Sequence, residues 1–153
     1  MPGGSELTLI LLALFIIPVI FYLITLQKTL EAIIPANRRM PPGQVWLLLI
    51  PLFNYIWQFF AVSNISDSIK AECERLNIPV SEERPTYIIG LAKNILSLCA
   101  FIPFLGGLAS LAFIVCWIIY WVKVNEYKKL IVANKDNDIL DAEQGIFYDT
   151  KSV

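Results

Sequence analysis

The length of the apolar blocks limits this chain more than any motif does. "LTLILLALFIIPVIFYLITL", Leu7 to Leu26, carries no charged residue. A helix of about 20 apolar residues rises about 30 Å, the thickness of a bilayer's hydrocarbon core. Three more blocks follow at residues 45–62, 87–104 and 105–122, and the single charge among them is Lys93. Composition agrees: 57% of residues are hydrophobic and 16% charged, where soluble domains sit near about 45–50% and about 25%. The expected fold is all-α: an integral membrane bundle of four transmembrane helices over residues 1–134.

Breakers and spacing set the element limits. Pro18 lies inside the first block, where lipid-embedded helices tolerate a kink. "PANRRMPPG" ends that helix with Pro35, Pro41, Pro42 and Gly43. From Val45 onward, no strong breaker stands between Pro51 and Pro79. Ile65, Ile69, Cys73 and Leu76 recur at helical spacing. The pattern predicts one long helix over about 45–77 that leaves the membrane near Ser63. The fourth segment runs on through "KVNEYKKLIVAN", with Val124, Tyr127 and Ile131 on one side. Helices two and four are therefore expected to extend beyond the membrane and pack their stripes together. "IPFLGG" is a short uncharged turn that makes the third and fourth spans an antiparallel hairpin. Residues 135–153 hold Asp136, Asp138, Asp141, Glu143 and Asp149, and are expected as an acidic, flexible tail.

Four alternating spans put the N-terminus, the 63–86 loop and the C-terminus on one side. Nine of the twelve Lys and Arg would fall there, against Lys28, Arg38 and Arg39 opposite. The positive-inside rule then places both termini in the cytoplasm. The first block lacks the leading positive charge and small-residue cleavage site of a secretory signal, so it is expected to be a retained anchor. Trp46, Trp57, Tyr87, Trp117, Tyr120 and Trp121 fall near span ends, where aromatic belts form.

Several chemistries have no residues to run on. There is no histidine, and the three cysteines form no CxxC pair. No GxSxG, HExxH or P-loop pattern occurs. No carboxylate sits in the middle of a span, where a proton pathway usually needs one. A net charge of −1 offers no surplus for nucleic acid. No enzyme activity, cofactor, metal or nucleic-acid partner is expected.

The polar residues that do enter the spans define the candidate sites. Asn54 and Gln58 share a helix face one turn apart, with Asn94 and Ser97 as candidate partners for hydrogen bonds between helices. Gly90, Gly106, Gly107, Ala109 and Ser110 permit close helix approach. Arg38, Arg39 and a snorkelling Lys93 are expected to meet lipid head groups.

Three stretches also carry a resemblance: "LQKTL" at Leu26–Leu30, "NRRMPPGQVWLLLIPLFN" at Asn37–Asn54, and "CWIIYWVK" at Cys116–Lys123. In this combination the chain resembles a family of small bacterial four-span integral membrane proteins, over most of residues 7–130. The resemblance implies a helical bundle in the bacterial inner membrane. It brings no catalytic residue, substrate or cofactor. The expected role is an accessory or scaffolding subunit whose partners are membrane lipid and other membrane subunits, or a second copy of the chain. The alternative is a small oligomeric channel or transporter built on the Asn54/Gln58 face.

Overall fold

The computed structural model describes residues 3–151, with side-chain surroundings over residues 3–140. Among the described residues the chain is all-helical. α1 spans Gly4–Ala32, α2 Phe53–Arg75, α3 Tyr87–Cys99 and α4 Gly106–Lys151. Between α1 and α2 lie a 3₁₀ turn, Pro35–Asn37, and a 3₁₀ helix, Pro42–Leu49. α1 and α4 are long and apolar enough to cross a membrane.

α1 and α4 run side by side in the same direction. The Tyr22 ring meets those of Trp117 and Trp121 at 5.5 and 6.1 Å. The Trp121 indole N–H donates to Thr25 Oγ1 at 2.9 Å. Four alternating spans would make these two helices antiparallel. The difference arises in the second apolar block, which is not one helix from 45 to 77. The 3₁₀ helix Pro42–Leu49 runs back along α1, with the Trp46 indole donating to Gln27 Oε1 at 2.7 Å. The chain reverses at Ile50–Leu52, and α2 begins at Phe53. The Trp57 indole, bonded to the Gln44 carbonyl at 3.1 Å, ties the two limbs together.

Pro51 explains the break. A proline turns its predecessor away from helix and has no N–H to give one. Leu52 then takes φ 65, and the Phe53 N–H bonds the Pro51 carbonyl at 2.7 Å. That is the positive-φ γ-turn, a rare and strained form. The turn nevertheless satisfies most of its backbone. Ile50 N–H reaches Leu47, and the carbonyls of Ile50 and Leu52 accept from Asn54 and Tyr55.

The described chain thus makes five alternating passes, and the start of α1 and the end of α4 lie at opposite ends of the bundle. The Asn37 amide donates to Glu72 Oε2 at 2.8 Å, and the Arg39 N–H to Ser68 Oγ at 2.8 Å. Arg84 pairs with Asp67 and Ser63. The "NRRMPPG" turn and the 63–86 region therefore share one polar end rather than facing each other across the bundle. The expected nine-against-three division of charge does not hold.

The tightest packing is also at that end. Leu26 and Leu30 of α1 with Ile33 just past its end, Ile65, Ile69 and Cys73 of α2, and Val124 and Ile131 of α4 are each at most 1% exposed. Both expected stripes belong to this core, closed by the end of α1. At the other, apolar end every residue from Gly4 to Ile17 is exposed. α3 and α4 form the expected antiparallel hairpin around residues 100–105, with Phe104 fully exposed at its tip. Gly90 is what lets α3 settle. A Cβ there would lie 2.5 Å from Val62 Cγ1 and 2.8 Å from Tyr120 Cε2. The acidic 135–153 segment, expected as a flexible tail, continues α4 as helix to Lys151.

Candidate functional site

α2 presents Asn54 and Gln58 one turn apart, and α3 presents Lys93, Asn94 and Ser97 opposite them. The Gln58 amide donates to Ser97 Oγ at 2.9 Å, and Ser97 donates on to the Asn94 carbonyl at 2.7 Å. The expected α2–α3 polar contact is thus made by Gln58 and Ser97. Asn54 joins neither Asn94 nor Ser97. It lines a cavity of about 440 Å³ together with Gln58 and Lys93. The rest of that wall is mostly apolar and includes Leu14, Phe15, Pro18, Leu49 and Ile114, with the amphipathic rings of Tyr22 and Trp117.

Lys93 departs from its expected role. Its side chain does not snorkel outward to a head-group level; the residue is only 5% exposed. Nζ donates to Asn94 Oδ1 at 2.7 Å and lies 5.6 Å from the centre of the Tyr120 ring. No carboxylate pairs with it among the described residues. Close by, the buried Asn94 Nδ2 and Tyr120 hydroxyl have no partner. The ammonium therefore has neutral acceptors around it but no anion among the described residues. A buried polar group left in that condition is costly.

The two arginines divide. Arg38 caps α1: Nε donates to the Ile33 carbonyl at 2.8 Å and Nη2 to that of Glu31 at 3.0 Å. Those carbonyls are orphans of the helix end, so the guanidinium is committed there rather than to a head group. Arg39 is exposed, and its side chain makes no hydrogen bond or ion pair among the described residues.

A second cluster, absent from the sequence reading, lies at the polar end. Glu72 is fully buried. Its carboxylate accepts from Asn37 at 2.8 Å and from Arg75 Nη2 at 2.9 Å. Arg75 Nη1 also reaches Asp138 of α4 at 3.2 Å, so one guanidinium joins α2 to α4. Hydrogen bonding from Glu72 holds the Arg75 pKa above its ordinary value. The signal was available, because Glu72 follows Ile69 by three residues and lies on the same stripe. Next to it, burial first and then Glu72 and Glu74 push the Cys73 thiol up to about 11, which keeps it protonated and unreactive.

In chemical terms the Lys93 cluster offers positive charge and hydrogen-bond donors at the end of an apolar cavity. No group of three potential metal ligands gathers among the described residues. No family model, curated protein or solved structure matches the chain.

Proposed function

We propose that the chain is a non-enzymatic integral membrane protein that works by contact, as an accessory or scaffolding subunit of a membrane assembly. The observation that carries this reading is the position of the core. Leu30, Ile33, Ile69, Cys73, Val124 and Ile131 are buried beyond the first charged residue that follows each apolar run: Lys28, Asp67 and Lys123. The chain builds a well-packed polar head and leaves its apolar end loosely assembled, with every residue of Gly4–Ile17 exposed. A helix in that state is completed by lipid or by helices of another subunit.

In this reading the apolar end sits in the bilayer. α1 and α4 cross it, and residues 42–53 dip in and return. An irregular turn at that depth is viable only if its backbone groups are satisfied. Pro51 at the tip has no N–H to leave open. Every Lys and Arg of the described side chains except Lys93 then belongs to the head. The positive-inside rule turns the head and the C-terminus to the cytoplasm and Gly3 outward. This departs from the expectation of two cytoplasmic termini, because the added pass makes the number of alternating segments odd. The resemblance to bacterial membrane proteins makes this the inner membrane.

Purification from native membrane in mild detergent, followed by native mass measurement, tests the proposal. A larger particle containing other subunits or further copies is expected. A strictly monomeric particle with nothing bound would sink it. The alternative, a small channel or transporter on the Asn54/Gln58 face, rests on the cavity those residues line. Replacing both with leucine and measuring flux in liposomes separates the two: flux that vanishes with the substitutions favours transport.

A further inference from the structure

A buried ammonium without an acidic partner needs a counter-charge from outside the chain or a reason to exist without one. Lys93 spends one of its three donors on Asn94 Oδ1. It faces a cavity of about 440 Å³ whose other polar lining is neutral: the amides of Asn54 and Gln58, with Tyr22 and Trp117. That volume lies within the ~300–1,000 Å³ of small-ligand sites. The remaining wall is hydrocarbon-like, and its α1 side is continuous with exposed surface: Leu14 is 70% and Phe15 74% exposed. The cavity thus opens to the surroundings of the apolar end, while its positive charge lies inside. Nearby, Asn94 Nδ2 is a further buried donor without a partner. Intramembrane ionisable groups of this kind are functional by default, with a partner to be named.

We infer that the cavity binds a single-chain amphiphilic anion, a long-chain carboxylate. Its head group pairs with Lys93, and its alkyl chain lies along Leu14, Phe15, Pro18, Leu49 and Ile114. The carboxylate accepts from Nζ, whose other donors are free, and from the Asn54 amide at the same wall. The chain replaces lipid contacts with protein contacts of equal polarity, so the charge pair at the buried end supplies the selectivity. A phosphodiester lipid shares this chemistry, but it carries two chains and a larger head, and the cavity suits one chain.

The test uses the full chain in maltoside micelles with labelled oleate, read by retention on gel filtration and by thermal stabilisation. The wild-type chain is expected to retain oleate and to unfold at higher temperature with it. Lys93→Met is expected to weaken binding about 10- to 100-fold, the size of a charge-assisted hydrogen bond lost. Methyl oleate, which has no charge, is expected to bind the wild type as poorly. Ile114→Trp keeps the lysine, fills the cavity and is expected to lose oleate too, so the proposal stays open to refutation if Lys93→Met fails to fold. Equal retention of oleate by either variant, or of methyl oleate by the wild type, would mean partition into micelles and overturn the site. Displacement of oleate by phosphatidylglycerol at matched concentration would overturn the carboxylate assignment.

Discussion

Gly90→Ala is the perturbation whose outcome the geometry constrains most tightly. Two effects oppose each other. Alanine is a better helix former than glycine by about 0.8–1.0 kcal/mol, and Gly90 is inside α3. Against this, the new Cβ would lie 2.5 Å from Val62 Cγ1 and 2.8 Å from Tyr120 Cε2. Carbon atoms rest about 3.5–4.0 Å apart, so both neighbours must retreat by the better part of an ångström. Neither has room to do so, since Val62 is 3% and Tyr120 0% exposed. Overpacking of this sort costs about 1–3 kcal/mol, and two simultaneous contacts put it toward the upper end. The clash wins, and a net loss of about 1–2 kcal/mol is expected. For a chain of this size that lowers the midpoint of thermal unfolding by about 2–4 °C per kcal/mol. The assay is thermal unfolding in one detergent, with Gly107→Ala as control, because a Cβ at Gly107 meets nothing within 4 Å. Val62→Ala combined with Gly90→Ala removes the nearest clash and should recover part of the loss, giving a non-additive cycle. A Gly90→Ala protein as stable as wild type, or one that Val62→Ala does not rescue, would refute the account of how α3 is seated.

Other consequences are open to measurement. Glu72→Leu leaves the Asn37 amide only its 3.3 Å bond to the Ala71 carbonyl and strips one face of Arg75, and should destabilise by about 1–3 kcal/mol, with Glu72→Gln milder; equal effects would show that hydrogen bonding at this buried carboxylate is unimportant. Cys73 keeps its proton in the folded chain to about 11, against 9.0 for an ordinary thiol. Its contribution to stability is therefore present below about pH 9 and is lost as pH rises through 11. At pH 8 it should be the slowest of the three thiols to alkylate, which peptide mapping would check. Leu52→Gly relieves a positive φ at a side chain that is 82% exposed, and should raise stability by about 1 kcal/mol; a loss would mean the turn carries no strain. An impermeant thiol reagent applied to intact cells should label Ser5→Cys and spare Lys135→Cys, and the reverse pattern would invert the proposed orientation.

Much of the polar end was legible in the sequence. The stripes Ile65–Ile69–Cys73 and Val124–Ile131 read correctly because burial against a neighbouring helix imposes the 3.6-residue period wherever water covers the other face. The Gln58–Ser97 bond between α2 and α3 was legible for a related reason: amides are scarce in an apolar block, and those present need each other. The fate of the basic residues was not. Nothing in "NRR" separates Arg38, which closes the end of α1, from Arg39, which is exposed. Helix-end carbonyls and phosphate oxygens attract a guanidinium alike, and only the path of the backbone decides which is nearer.

The direction of the second apolar block was the least legible feature, and everything about orientation followed from it. An uncharged run of 18 residues satisfies a spanning helix and a hairpin that dips in and out equally well, because hydropathy sums polarity and is blind to direction. The distinguishing residue was present in Pro51. Yet Pro18, in a block of the same character, is accommodated within an unbroken α1. The two prolines differ in what surrounds them. The first block has no tryptophan to tie it back, whereas Trp46 reaches Gln27 and Trp57 reaches Gln44, fixing the limbs on either side of the reversal. A proline permits a turn, and polar anchors on both flanks make the turn the lower state. The aromatic residues near the ends of this block, read as a belt at the membrane surface, are the fasteners of the hairpin.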